Sequence, residues 1–155
     1  MKFDLLSESD QAYFIHKAST LVEALPYIRE HNGDIIVIKY GGHAMGDTKL
    51  SKSFAKDVSL LKEIGISPII IHGGGPQIGE RLKNKNIKSK FVKGLRVTDR
   101  ETIKIVEEVL SKDINSEIVK SISSSGGKAI GISGNVDKLI EASKLKVEVK
   151  DSDSN

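Results

Sequence analysis

The chain has no cysteine, which excludes disulfides, thiolate metal sites and cysteine nucleophiles and fits a reducing cytoplasm. Aromatic residues are scarce at 5%, and the net charge is a mild +3. A nucleic-acid surface usually carries a stronger basic stripe with aromatics between its charges, so no nucleic-acid partner is expected. No apolar run approaches the ~20 residues that span a bilayer, so no membrane partner is expected either. The first ten residues include Asp4, Glu8 and Asp10 and no apolar core. They do not read as a secretory leader, and a cytoplasmic location is the expectation. No carboxylate pair has a spacing that declares a magnesium site, and no Ser/His/Asp set is evident. The list of metal ligands is therefore empty.

What is present suits one ordinary domain. The chain has 155 residues, 38% of them hydrophobic and 29% charged, enough to build a core. Phe14, Ile15, Ala18, Leu21, Val22, Leu25 and Ile28 recur at helical spacing, with Pro26 expected to kink the helix or start a new one. This segment, residues 1–30, either packs on its own domain or serves as an arm lent to another subunit. Residues 31–155 alternate strands and helices. Ile35 to Ile38, Ile69 to Ile71 and Ala129 to Ile132 read as apolar strands of the kind buried in parallel sheets. Leu50 to Ile64 reads as a helix stopped by Gly65, and a second helix opens at Gln77 with Pro76 in its first turn. A hairpin is expected around Lys93-Gly94, followed by a helix capped by Thr98 with Glu101 three residues on. That helix should run to Gly126-Gly127, and Leu139 to Val149 reads as a polar pair of edge strands. The class is α/β with a mostly parallel sheet flanked by helices.

Two glycine clusters stand where apolar strands end. The first is Lys39-Tyr40-Gly41-Gly42 and the second His72-Gly73-Gly74-Gly75-Pro76. Glycines let backbone N–H groups turn toward an anion, and a helix N-terminus behind them adds a favourable dipole. Lys39 can aim an ammonium group at phosphate oxygens, although a strand-end lysine commonly reaches only solvent. His72 is either an acid–base group or a local hydrogen-bond partner. Neither the P-loop nor the dinucleotide fingerprint is matched. Arg96, just before a helix, suits a carboxylate in a bidentate fork or pairs with Asp99 or Glu101.

Three blocks together carry a resemblance. They are Val37-Ile38-Lys39-Tyr40-Gly41-Gly42-His43-Ala44-Met45, Ile70-Ile71-His72-Gly73-Gly74-Gly75-Pro76-Gln77-Ile78 and Gly94-Leu95-Arg96-Val97-Thr98-Asp99. With Glu117-Ile118-Val119 and the run Gly126 to Gly134, they resemble the acetylglutamate kinases of the amino-acid kinase family. The resemblance implies an αβα sandwich and transfer of the ATP γ-phosphoryl group to the side-chain carboxylate of N-acetyl-L-glutamate, in arginine biosynthesis. It implies Lys39 as the catalytic cation, Gly41, Gly42 and Gly73 as phosphate-binding, and Gly74, Gly75 and Arg96 as acceptor-binding. ATP with Mg²⁺ would be the donor. Lys93 and the turn Gly134 to Lys138 depart from the family pattern.

The same resemblance implies a homo-oligomer, a dimer or a hexamer joined by the N-terminal helix, and arginine as an effector. The likeness reaches Asn155 inside the family sequence, short of its ATP-binding lobe and an Asn-x-Asn-Ala-Asp motif. The expectation is a truncated chain holding the acetylglutamate-binding lobe and inactive alone. A non-catalytic module binding an acyl amino acid or arginine is the alternative.

Overall fold

The computed structural model describes residues 6–42 and 44–145. Helix α1 spans Glu8–Glu30 and is capped by Ser7, whose hydroxyl accepts from the Asp10 amide. It runs across Pro26 without a second helix beginning there, and none of its residues is buried. Phe14, Leu21, Val22 and Leu25 of the expected apolar stripe are all exposed. Among the described residues, no element buries this stripe.

The Asn32-Gly33 turn leads into β1, Ile35–Tyr40, and Gly33 takes the left-handed φ of 92° that favours glycine. Helix α2, Thr48–Glu63, is capped by Asp47, whose carboxylate accepts from the amides of Lys49 and Leu50. It ends as expected at Gly65, with φ of 95° and the Ile66 amide donating back to Leu61. Strand β2, Ser67–His72, pairs parallel with β1. Helix α3, Gly75–Asn84, carries Pro76 in its first turn.

The hairpin is present. Strand β3, Phe91–Val92, pairs antiparallel with β4, Leu95–Arg96. Lys93 and Gly94 between them both have positive φ, 49° and 77°, as a tight hairpin turn requires. The cap of the next helix is shifted by one residue from expectation. Helix α4, Arg100–Glu107, is capped by Asp99, whose carboxylate accepts the Thr102 amide at 2.7 Å. A carboxylate is the stronger acceptor, and Thr98 instead donates its hydroxyl to the Arg96 carbonyl. The rod continues through a π-helical segment, Glu108–Ile114, into α5, Asn115–Ser124. Gly126 ends it at φ 91°.

Two expected strand regions are corrected. Ala129 to Ile132 forms no strand among the described residues: Ile130 is 89% exposed. The segment lies along the rod instead, where Asn115 donates to the Ile132 carbonyl and the hydroxyls of Ser111 and Ser133 share a hydrogen bond. From Leu139 to Leu145 there is no strand either, while the remainder of that expected pair, residues 146–149, lies outside the described residues.

The chain is therefore α/β, with a parallel β1–β2 pair and a separate hairpin. Helices α2 and α5 cover one face of the pair, where Ile38 and Ile70 pack against Ala55, Val58 and Ile122. The other face, bearing Ile35, Val37, Ile69 and Ile71, is exposed. Full burial of these strands, expected from their apolar runs, is not reached: the covered face is half-buried apart from buried Tyr40, and no described element lies on the other. A second cluster joins Ile78 and Leu82 of α3 to Ile105, Val109 and Ile114 of the rod. No described helix is long and apolar enough to cross a membrane.

Candidate functional site

Register sets the site. Tyr40 is paired with His72, so both glycine loops leave the carboxyl ends of adjacent parallel strands. That end of an α/β sheet is where ligands bind. The Gly73 amide donates to the Tyr40 carbonyl at 3.3 Å, tying one loop to the other. Tyr40 is buried at the end of β1 and stacks on Phe54 of α2 with ring centroids 3.9 Å apart. The floor beneath the first loop is thus a packed aromatic pair.

The second loop opens α3. Gly74 is its N-cap and offers no side-chain cap, so the first-turn amides of Gly75 and Gln77 lack an intrahelical partner and Pro76 has none to offer. Gly74 is buried, while Gly73 and Gly75 are exposed. A Cβ on Gly74 would lie 2.6 Å from Ile114 Cδ1 and 2.7 Å from Leu110 Cδ2. A side chain there would have to displace the ends of both side chains. A Cβ on Gly42 would lie 3.0 Å from Pro76 Cδ, so the first loop rests on the start of α3. His72 donates from Nδ1, in that tautomer, to the Gly73 carbonyl at 3.1 Å. This is the local hydrogen-bonding role among its two readings.

Lys39 is exposed on the open face of the sheet, paired in register with Ile71. Gly41, Gly42, Gly73, Gly74 and Gly75 surround the strand ends just beyond it. Arg96 stands apart on the hairpin, with its guanidinium 4.6 Å from the Phe91 ring centroid and hydrogen-bonded to the Ser89 hydroxyl. It pairs with neither Asp99 nor Glu101 in this arrangement. Asp99 is engaged by the helix it caps, and the amide of Thr102, its largest influence, holds the carboxyl below the usual aspartate range.

A cavity of about 380 Å³ lies on the helix side of the first loop, with Tyr40, Gly42, Met45, Gln77, Glu80 and Glu117 among its lining. Neither Lys39 nor Arg96 reaches it. Two carboxylates and no cation line it, which makes it unsuited to an anion. Sequence reasoning missed Gln77, whose Nε2 donates to the Gly42 carbonyl at 3.2 Å. No local pattern signals this contact, since it joins residues 35 apart in sequence.

Comparison with known proteins gives a consistent picture. Residues 34–155 match the amino acid kinase family. The acetylglutamate kinase of Citrifermentans bemidjiense is 59% identical over 90% of this chain and 48% of its own length. That of Rhodospirillum centenum is 55% identical over 92% of this chain and 47% of its own. The chain spans about half the length of these curated relatives. Among solved structures, the N-acetylglutamate synthase of Neisseria gonorrhoeae, complexed with coenzyme A and N-acetyl-glutamate, superposes with a TM-score of 0.61 at 24% identity. The match covers 70% of this chain and 25% of that one. At that identity the likeness speaks for the fold.

Proposed function

The chain belongs to the amino acid kinase family, and on that premise we propose that it is the acceptor-binding lobe of a kinase that phosphorylates the side-chain carboxylate of N-acetyl-L-glutamate with ATP. Residues 31–155 form the lobe and residues 1–30 an arm that joins subunits. The observation that carries this reading is the pairing of Tyr40 with His72, which brings two glycine loops together at one sheet edge beside Lys39.

The chemistry follows from that edge. In-line phosphoryl transfer asks the protein mainly to position two reactants and to neutralise charge on the transferring group. Backbone amides around Gly41, Gly42 and Gly73 supply fixed dipoles, and Lys39 supplies a full positive charge. The acceptor's reacting carboxylate would lie over Gly74 and Gly75, with Arg96 receiving its α-carboxylate in a bidentate fork. Arg96 would leave Ser89 to do so. No group of three or more His, Asp or Glu side chains among the described residues is arranged to hold a metal ion. Magnesium, when bound with ATP, would supply charge neutralisation to the phosphates.

A cytoplasmic homo-oligomer, with arginine as an effector, completes the reading. The exposed apolar stripe of α1 supports a contact between subunits. The test is acetylglutamate-dependent ATP turnover, with the acyl phosphate trapped by hydroxylamine. A polypeptide of the relatives' full length that carries residues 1–155 should turn over, and residues 1–155 alone should not. Absence of acyl phosphate from the full-length protein would refute the proposal. Binding of acetylglutamate or arginine without turnover would favour the alternative, a non-catalytic binding module.

A further inference from the structure

A glycine loop can turn its peptides either way, presenting N–H or C=O to whatever approaches. At the first loop one side chain fixes the choice. Gln77, in the first turn of α3, donates from Nε2 to the Gly42 carbonyl at 3.2 Å across 35 residues of sequence. Its Oε1 is buried without a hydrogen-bond partner among the described residues. The amide has no better alternative in the opposite orientation, which would set Oε1 against the Gly42 oxygen, acceptor facing acceptor. Pro76 closes the loop from the same side, with its Cδ 3.0 Å from where a Gly42 Cβ would stand.

We infer that Gln77 is a positioning residue for phosphoryl transfer. It draws the Gly42 carbonyl toward α3, so that this oxygen stays off the anion's path and the loop's N–H groups face outward. Gln77 touches no reacting atom and acts through Gly42. Unclamped, the loop would expose a carbonyl dipole of the wrong sign to a transferring phosphoryl group. This role rests on the kinase reading above.

The test compares Gln77→Met, which keeps the length and loses the donor, with Gln77→Glu, which keeps the shape but places an acceptor and a negative charge beside the loop. Both are made in the full-length protein. Gln77→Met should lower kcat about tenfold, the scale of one hydrogen bond, with the KM for acetylglutamate within about twofold of wild type. Gln77→Glu should lose more. A wild-type kcat in Gln77→Met, or a KM that rises as steeply as kcat falls, overturns the inference. Amide hydrogen exchange over residues 41–46 gives a second readout that needs no substrate. Exchange there should quicken in Gln77→Met while that of α2 and α5 stays unchanged, and unaltered exchange also overturns the inference. If the wild-type protein does not turn over acetylglutamate, the kinase reading fails by itself, and the exchange result still decides whether Gln77 holds the loop.

Discussion

Gly74 lies directly against Ile114: a Cβ added to the glycine would stand 2.6 Å from the isoleucine Cδ1. The π-helical segment, which carries Leu110 and Ile114, is therefore the support on which the second glycine loop sits. A π-helical turn displaces the residues after it from their ordinary α-helical phase, and such turns recur at functional sites.

The first prediction follows from that contact. Gly74→Ala should destabilise the fold by about 1–3 kcal/mol, the usual cost of overpacking a core, because Ile114 is only 5% exposed and has little room to yield. Ile114→Val removes the Cδ1 methyl that clashes. In a double-mutant cycle read by denaturant melts, the two changes should cost less together than the sum of their separate effects. Strict additivity would show that removing the Ile114 methyl does not relieve the overpacking.

Asp99 predicts an acid response. Its carboxyl is held below the ordinary aspartate range by the Thr102 amide. A group whose folded pKa is depressed contributes stability that is complete above the unfolded value, near pH 4, and lost as pH falls toward the folded one. Asp99→Asn, which keeps a neutral cap, should therefore flatten the loss of stability below about pH 4. Thermal melts from about pH 2 to about pH 7 check it. An acid limb identical to wild type would show that Asp99 does not contribute.

Where sequence patterns are local, they mapped onto structure closely. Lys93-Gly94 needed two positive φ values and made the hairpin turn. Gly65 and Gly126 ended their helices, and the two glycine loops met at one sheet edge. The misses concern partners that local pattern does not encode. Ala129 to Ile132 has the composition of a buried strand, but a strand needs a neighbour, and here the segment follows the rod. The cap moved from Thr98 to Asp99 because two adjacent acceptors compete for the same amides. Gln77 was passed over because its contact with Gly42 spans 35 residues and depends on how the loops fold.

Lys39 and Arg96 should separate in kinetics of the full-length protein. Lys39→Ala should lower kcat about 10²-fold, comparable to removing a preorganised donor from developing charge, with a smaller change in either KM. Arg96→Ala should raise the KM for acetylglutamate far more than that for ATP. Arg96→Lys should recover little, since an ammonium cannot reproduce the planar fork. An unchanged KM for acetylglutamate in Arg96→Ala would refute its role.

The open sheet face makes the last prediction. Val37 and Ile69 are paired in register and are 64% and 47% exposed, beside Ile35 at 68% and Ile71 at 54%. A contiguous apolar surface of this kind on a parallel sheet is normally covered. Residues 1–155 alone should therefore self-associate in a concentration-dependent way by sedimentation velocity. Replacing both Val37 and Ile69 with Thr keeps β-branched residues suited to a strand while adding hydroxyls to the face. The double variant should associate more weakly than the parent chain at equal concentration, with its helical circular dichroism preserved because α2 and α5 pack on the opposite face. A parent chain that is monodisperse and melts cooperatively as a monomer would show that this face needs no cover.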